Sequence, residues 1–431
     1  MPVLRLKRNE DRRLLAGHLW VFSNEVDTGQ TPLSRFEAGD LVRVLAHNDR
    51  SLGLAYVNPR SLICARLLET ATAPDEAWFA RRLRRALALR ERLYGGPYYR
   101  LVHGEADGLP GLVIDRFGSA CVVQIGTAGM ERLRPALQAA LFDALGIETV
   151  LYKNDGATRE LEGLPLYVES AGAAFPDVAR VVECETLIFK NDSGARALEG
   201  LPSYVEAVRG RAEDLAWVVE AGLEFRVPVR DGQKTGWFYD QSANRAALVK
   251  YVRPGARVLD VFSYVGAWGL RAARAGAADV LCVDGSAGAL QFAAENADRN
   301  GHVVRTLKGD AFEVLAALGT DRERFDLVIV DPPAFAKRKK DLPKAQAAYR
   351  RLNQAAIGVL APDGVLVSCS CSHHLGVGDL QDAIAKAARG SGRRLQLLES
   401  GAQGPDHPVH PAIPETRYLK AFFCRIDQSF D

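Results

Sequence analysis

The strongest constraint on the fold is a regular alternation of apolar runs and helical stretches that begins at about Pro254. Five runs have the length and composition of buried strands: ARVLDVF, DVLCVD, VVRTLKGD, FDLVIVD and DGVLVSCS. Another apolar run, YLKAFFCRI, follows at 418–426. Such alternation is typical of a parallel sheet that is covered by helices on both faces. We therefore predict an α/β, Rossmann-like domain over residues 225–431.

The chain before this alternation has a different organisation. Five short apolar runs separated by turns occupy residues 1–72, and this spacing indicates a small β-barrel or sandwich. An amphipathic helix with the basic face RRLRRALALRER follows at about 74–94, and we favour a solvated surface over a phosphate-contacting one. Further strands and one helix near 130–145 predict an α+β middle domain over residues 73–224.

The middle domain contains an internal repeat. VLYKNDGATRELEGLPLYVES at 150–170 returns without a gap as LIFKNDSGARALEGLPSYVEA at 187–207, an offset of 37 residues (from 150 to 187). The two copies span 150–186 and 187–223. A solenoid needs at least three copies, so we interpret the repeat as a tandem duplication of one small unit without a function of its own.

Charge and cysteine content exclude several classes of protein. The formal net charge of +2 gives no general argument for nucleic acid, and the seven cysteines form no CxxC pair for a zinc or redox site. The N-terminus MPVLRLKRNEDRRLL lacks the apolar core of a signal peptide, and no apolar run has membrane-spanning length. We predict a cytoplasmic protein. We also predict that it binds no metal, because His373 and His374 lack a set of further metal-ligating residues.

The first strand of the alternation leads into a loop that suits a cation. Asp260 is followed by Phe262, Tyr264 and Gly266, and the GxGxxG pattern that cradles a pyrophosphate is absent from this loop. Ligands of open α/β sheets bind beyond the carboxyl ends of the strands. A carboxylate and aromatic faces at that place suit a sulfonium cation, which indicates S-adenosyl-L-methionine as the cofactor.

Acidic residues also end the next strands. Asp284 ends the second strand and is placed to bind both ribose hydroxyls; Asp310 follows the third and can accept from the adenine amine, with Phe312 packing on the ring. Each acid alone could be a helix N-cap. Because Asp331 and Pro332 follow at the fourth strand end, we favour cofactor binding for the whole series.

Two thiols lie at the end of the fifth strand, beside the turn Asp331-Pro332-Pro333. Addition of a thiolate to C6 of a pyrimidine makes C5 nucleophilic, and Asp331 can interact with cytosine N3. Cys369 and Cys371 are therefore candidate nucleophiles. The alternative is that they are small, buried strand residues, which is the usual place of free cysteines.

A basic run follows the Asp-Pro-Pro turn directly. It consists of Lys337, Arg338, Lys339 and Lys340. Its position makes contact with RNA phosphates as reasonable as a solvated helix face, and its charge could favour a thiolate nearby.

Together these motifs resemble the RlmI-like family of large-subunit ribosomal RNA cytosine-C5 methyltransferases along nearly the whole chain. The matching stretches are GHLWVFSNEV (17–26), RLVHGEADGLPGLVIDRFG (100–118), GQKTGWFYDQSANR (232–245), VLDVFSYVGAWG (258–269), VDGSAGAL (283–290), DPPAFAKRKK (331–340), SCSHHL (370–375) and DHPVHPAIPETRYLK (406–420). The resemblance implies a PUA-like RNA-binding domain over 1–72, a Rossmann-like methyltransferase domain over 225–431, ribosomal RNA as partner, and suggests a homodimer.

The resemblance also implies roles for single residues. The family nucleophile lies in a Ser-Cys-Ser motif, which favours Cys371, with Cys369 as second candidate because it too lies between two serines. The segment before the sheet contributes pocket residues, among which we assign Gln233 to the cofactor and Lys234 to the RNA. The others in that segment are Thr235, Gly236, Asp240 and Arg245. The 37-residue duplication departs from the family pattern, which has one such unit.

Our first hypothesis is formation of 5-methylcytidine in large-subunit ribosomal RNA through a covalent adduct of cysteine with C6. A second enzyme hypothesis is methylation of the exocyclic N2 amine of guanine, which uses the Asp-Pro-Pro turn and no cysteine. A third is a non-catalytic RNA-binding protein.

Overall fold

In the computed structural model the chain forms two compact units. The first unit comprises Met1–Trp217, Pro228–Trp237 and Pro405–Thr416, and the second comprises Val218–Val227, Phe238–Gly404 and Arg417–Asp431. The structure describes residues 1–70, 72–155, 159–160, 162–172, 188–191, 204–207, 215–230, 232–336 and 338–428. The predicted domain boundaries at 72 and 224 remain predictions.

The first unit begins with a small β-barrel. Its elements are β1 (Val3–Arg5), α1 (Arg12–Leu15), β2 (Trp20–Phe22), β3 (Asp40–Leu45), β4 (Ser51–Val57) and β5 (Ile63–Leu67). The strands pair in the order β1-β3-β4-β5-β2. An antiparallel bridge between Leu6 and Val26 joins the two outer edges, so the sheet closes on itself. The predicted N-terminal barrel is confirmed.

The rest of the first unit is an α+β layer, as predicted. Its elements are α2 (Glu76–Leu93), β6 (Tyr98–His103), β7 (Leu112–Phe117), β8 (Ala120–Ile125), α3 (Ala128–Arg132), α4 (Arg134–Ala139), β9 (Thr149–Asn154) and β10 (Tyr167–Gly172). The sheet order is β10-β9-β8-β7-β6. The basic face of α2 is not wholly solvated: Arg90 is fully buried, because its guanidinium pairs with Asp107 at 2.6 Å.

Both copies of the internal repeat contain an antiparallel strand pair. Strands β11 (Ile188–Asn191) and β12 (Tyr204–Ala207) pair antiparallel, with Asn191 opposite Tyr204. In β9 and β10 the equivalent residues, Asn154 and Tyr167, are also opposite each other. Each copy therefore contains a hairpin of identical register. Most other residues of the second copy lie outside the described residues.

The second unit contains a seven-stranded sheet. The strands of this sheet are β15 (Arg257–Val261), β16 (Asp279–Asp284), β17 (Arg305–Lys308), β18 (Phe325–Val330), β19 (Leu360–Ser370), β20 (Arg393–Gly401) and β21 (Lys420–Gln428). The helices of the unit are α5 (Ser242–Leu248), α6 (Ala267–Arg274), α7 (Ala287–Arg299), α8 (Ala311–Thr320), α9 (Leu342–Gly358) and α10 (Val377–Gly390). A hairpin of β13 (Leu215–Glu220) and β14 (Leu223–Pro228) precedes them.

The order of this sheet is β17-β16-β15-β18-β19-β21-β20. Strands β15 to β19 run parallel, and β21 is antiparallel to both of its neighbours. Two separate apolar clusters pack on the sheet. The Rossmann-like prediction is thus confirmed, and the strand ends that carry the predicted site meet at one edge. No helix in the described ranges is long and apolar enough to cross a membrane.

Candidate active site

Asp260, on β15, is a buried carboxylate with spare acceptor capacity. Its Oδ2 accepts a hydrogen bond from the Gly269 N–H at 2.9 Å, whereas Oδ1 has no hydrogen-bond partner among the described residues. Burial, together with the charges of Asp331 and Asp284, raises the pKa of Asp260 to about 7 against the opposing effect of that N–H. An orphaned, buried carboxylate oxygen fits a cationic ligand group.

The loop after Asp260 has an unusual backbone. Phe262, Tyr264 and Gly266 have φ values of +65°, +48° and +83°. Left-handed conformations of residues other than glycine are uncommon and are concentrated at ligand sites. The loop is held in this conformation by the N–H groups of Phe262 and Ser263, which both donate to the Val283 carbonyl. Phe262, Tyr264 and Gly266 therefore lie on one tightly constrained turn between β15 and α6.

Gly266 combines a left-handed backbone with close packing. A Cβ at this position would meet Ala293 Cβ and Leu270 Cδ1, each at 3.0 Å. We expect Gly266→Ala to lower the free energy of unfolding by about 1–3 kcal/mol and to weaken cofactor binding, because the loop must move. Calorimetric titration and thermal unfolding measure both effects. Gly378→Ala, in α10 with open space around it, is the control; wild-type affinity in Gly266→Ala would show that the loop geometry is dispensable.

Asp284 and Asp310 differ in the hydrogen bonds that they already accept. Asp284 accepts the Tyr264 N–H at 3.0 Å on one oxygen and the Ser286 N–H at 2.8 Å on the other, so each oxygen keeps capacity for a hydroxyl. Asp310 accepts from the N–H of Phe312 at 2.9 Å and caps α8. The structure thus shows for Asp310 the capping role that the sequence left open, and its contact with adenine remains a prediction.

Asp331 follows β18 and is fixed by two donors. The Gln241 side-chain N–H₂ donates to both carboxylate oxygens at 3.0 Å, and the Trp268 indole N–H donates to Oδ2 at 3.1 Å. Burial, together with the charge of Asp240, raises the pKa of Asp331 to about 6 against the opposing effect of the Trp268 hydrogen bond. The carboxyl group is therefore both oriented and easily protonated.

The strand pairing distinguishes the two thiols. Val330 of β18 is opposite Ser368 of β19, so the next residues, Asp331 and Cys369, lie at the same level. On its other side Cys369 is paired with Ala421 of β21. Cys369 is consequently enclosed in an apolar cluster with 0% exposure, and burial raises its pKa well above the ordinary value of a thiol. Cys371 is the first residue beyond β19 and is only half-buried.

The residues on both sides of Cys371 are anchored. The Ser370 hydroxyl donates to the Tyr349 hydroxyl at 2.8 Å, and the Ser372 hydroxyl donates to the Ala336 carbonyl at 2.8 Å. The Tyr349 ring in turn packs on Phe335, with 4.7 Å between ring centroids. These contacts tie the Ser-Cys-Ser loop to the Asp-Pro-Pro-Ala-Phe turn, which holds Cys371 beside the strand end that carries Asp331.

Two protein-family models match this chain. The model of the S-adenosylmethionine-dependent methyltransferase family matches residues 201–424, and that of the PUA-like domain matches residues 4–70. The ribosomal RNA large subunit methyltransferase I proteins of Salmonella paratyphi B and Salmonella typhimurium are each 33% identical over 99% of this chain and 98% of their own length. The chain belongs to this methyltransferase family.

Solved structures agree on the fold. A SAM-dependent methyltransferase from Streptococcus mutans superposes with a TM-score of 0.75 at 18% identity, covering 99% of this chain and 100% of its own. A methyltransferase crystallised with SAH superposes with a TM-score of 0.76, also at 18% identity and with the same coverage.

S-adenosylmethionine is thus the cofactor of this methyltransferase. The residues that we predict to bind it are on the constrained turn and at the neighbouring strand ends. They are Asp260, Phe262, Tyr264, Gly266, Asp284, Asp310, Phe312, Asp331 and Pro332. The unpartnered, buried Oδ1 of Asp260 supports the assignment of that residue.

The other pocket residues that the family resemblance implied are divided between the two units. Gln233 and Lys234 lie exposed in the first unit, Lys234 with a φ of +51°, and their roles remain predictions. In the second unit, Asp240 accepts the Tyr418 hydroxyl at 2.6 Å. Arg245 is buried and pairs with Glu220 through two hydrogen bonds of 2.7 and 2.6 Å.

The basic run after the Asp-Pro-Pro turn lies at the surface. Arg338, Lys339 and Lys340 are exposed, and Lys337 falls outside the described residues. Arg338 pairs with Asp341 at 3.3 Å. These side chains are open to solvent and to a polyanion.

Sequence reasoning missed three residues that contact this site. Gln241 and Trp268 hold Asp331, and Lys420 contacts the loop that carries Cys371. All three lie in stretches that resemble the family, but only Lys420 has a signal of its own: it is a lysine within the apolar run YLKAFFCRI.

Proposed function

We propose that this protein transfers a methyl group from S-adenosylmethionine to C5 of a cytosine in large-subunit ribosomal RNA. The relatives' name supplies the class of RNA. The observation that carries the choice of atom is the half-buried thiol of Cys371, held on an anchored loop beside Asp331. A nucleophilic thiol is what a poorly nucleophilic pyrimidine C5 requires.

In this mechanism Cys371 adds as a thiolate to C6 of the base, and electron density moves to C5, which becomes enamine-like. The bound cofactor supplies the electrophilic methyl group. After methylation, C5 loses its proton to a base, and the electron pair of that bond re-forms the C5–C6 double bond. The bond between sulfur and C6 breaks in the same step and returns Cys371 as a thiolate.

Asp331 serves the base ring in the same mechanism. Thiolate addition at C6 places negative charge on the ring, and a proton donor at N3 neutralises it and takes the proton back when the thiolate leaves. The buried Asp331 carboxyl can carry that proton, because its pKa is raised to about 6. Gln241 and Trp268 hold the group in one orientation.

Binding of the RNA involves surfaces outside the catalytic pocket. We assign Arg338, Lys339 and Lys340 to the RNA backbone, because exposed cations beside an active site lower the cost of bringing a polyanion there. The PUA-like barrel is a second RNA contact, as the family resemblance implies. The target base must be flipped out of any RNA helix to reach Cys371. We place the reaction in the cytoplasm.

The competing function is methylation of the guanine N2 amine, which the Asp-Pro-Pro turn favours because related turns grip planar amines. It would use Asp331 without a thiol.

Bisulfite sequencing of large-subunit ribosomal RNA separates the two functions. Cells with and without the gene are compared, and the deletion is complemented with the wild type and with Cys371→Ala. We expect one cytosine to lose its protection from conversion in the deletion strain, and only the wild type to restore it. An unchanged cytosine pattern together with loss of an N2-methylguanosine by mass spectrometry would establish the competing function.

A further inference from the structure

Lys420 is a buried lysine at the candidate active site. It opens β21, opposite Ser370 of β19, and its side chain is only 6% exposed. The ammonium group donates to the carbonyl oxygens of Ser372 and Leu375, the latter at 2.7 Å. One side chain therefore holds both ends of the short loop that follows Cys371.

The surroundings of this ammonium are unusual for a buried charge. In the part of the chain that the structure describes, no carboxylate lies within salt-bridge distance of it, and its two hydrogen bonds go to neutral carbonyls. Burial lowers the pKa of Lys420 to about 8, and the charges of Cys371 and Asp379 act against that fall. The cation is thus retained near neutral pH, with the thiol as one of its electrostatic partners.

Other titratable groups also surround the loop. On the neighbouring elements these groups are Asp379 on α10, Tyr349 on α9, Asp331 after β18, Cys369 on β19, and His373 and His374 in the loop. Asp379 is already engaged by the Gly376 N–H and by Gln346. Tyr349 and Cys369 have raised pKa values because they are buried, so both are neutral near pH 7.

We propose that Lys420 is a positioning residue for Cys371: its buried ammonium fixes the loop that carries the thiol and favours the thiolate form. The inference rests on the proposed function, in which Cys371 is the nucleophile. A buried ammonium without a negative partner costs free energy. A neutral donor would be sufficient to hold the two carbonyls, so those hydrogen bonds do not explain why the group is charged. A cation beside a partly accessible thiol is the arrangement that makes a cysteine reactive at neutral pH.

The test measures the reactivity of Cys371 without RNA or methyl transfer. Wild type, Lys420→Met and Lys420→Arg are alkylated with iodoacetamide over a range of pH, and the Cys371 peptide is quantified by mass spectrometry. Lys250→Met, which removes an exposed lysine paired with Glu399, is the matched control. Calorimetric binding of SAH shows that each variant is folded.

We expect Lys420→Met to slow alkylation of Cys371 about tenfold near pH 7, which corresponds to a shift of about one unit in the pH profile. The difference should vanish at high pH, where Lys420 in the wild type is itself neutral. Lys420→Arg should retain most of the fast reaction, because it keeps the charge. Superimposable profiles for wild type and folded Lys420→Met would overturn the proposal.

Failure of this proposal can be told apart from failure of the proposed function. If Cys371→Ala still methylates RNA, the proposed function fails, although the alkylation profiles can still show the effect of Lys420 on the thiol. If the profiles do not differ while Cys371→Ala is inactive, only the role of Lys420 is wrong.

Discussion

Replacing Cys371 with alanine is expected to reduce methylation of ribosomal RNA by at least about three orders of magnitude, while binding of S-adenosylmethionine stays unchanged. The reason is that no other group described near the turn offers an accessible thiol: Cys369 is enclosed in the sheet, whereas Cys371 is half-buried on a loop anchored at Ser370 and Ser372. Without a nucleophile at C6 the base does not become reactive at C5.

Two measurements on the same variants make this prediction sharp. The first is the single-turnover transfer of a labelled methyl group to a ribosomal RNA fragment. The second is covalent trapping with RNA that contains 5-fluorocytidine, in which C5 cannot lose a proton after methylation, so the bond to the thiol persists. We expect a trapped complex for the wild type and none for Cys371→Ala.

Cys369→Ala is the matched control, because both thiols lie between two serines. It removes a buried sulfur from the apolar cluster and should cost about 1 kcal/mol of stability while trapping continues. Trapping by Cys371→Ala, but not by Cys369→Ala, would instead make Cys369 the nucleophile. Methylation that survives both replacements would point to transfer to an amine.

The sheet could be predicted from the sequence because buried parallel strands are short, continuous apolar runs. The strands β15, β16 and β18 coincide with ARVLDVF, DVLCVD and FDLVIVD, and their acids Asp260, Asp284 and Asp331 lie where the carboxyl ends meet. The local sequence pattern was sufficient for this prediction, because each apolar run and its acid are neighbours in the sequence.

The parts that could not be predicted depend on pairing between distant segments. Cys369 and Cys371 each lie between two serines, and the pairing of Cys369 with Ala421 on the far side of its strand shows how the sheet encloses it. The contact of Gln241 with Asp331 and that of Lys420 with Ser372 join segments far apart in the chain. Asp310 shows the opposite case, because its capping bonds are local and the sequence already allowed them.

Asp331 is expected to show a second large effect, with a characteristic pH dependence. If its protonated form serves the base ring, Asp331→Asn should lower the rate of methyl transfer by about 10²–10⁴-fold at saturating cofactor. In the wild type, kcat/KM depends on loss of a proton from the thiol and retention of one by Asp331. Its pH profile should therefore bend at about 6, the pKa of Asp331. Asp331→Asn has no proton to lose there, so its profile should lack this bend.

Trp268→Phe tests the same assignment in a different way. The Trp268 N–H donates to Asp331 Oδ2 and stabilises the ionised carboxylate, so that removing it should raise the pKa of Asp331. The bend in the profile of Trp268→Phe should accordingly lie at higher pH than in the wild type, although Asp331 itself is intact. A bend that stays in place in Trp268→Phe, or that persists in Asp331→Asn, would assign the titration to another group. Asp331 would then act only by holding the base in the site, because its proton would have no part in the rate.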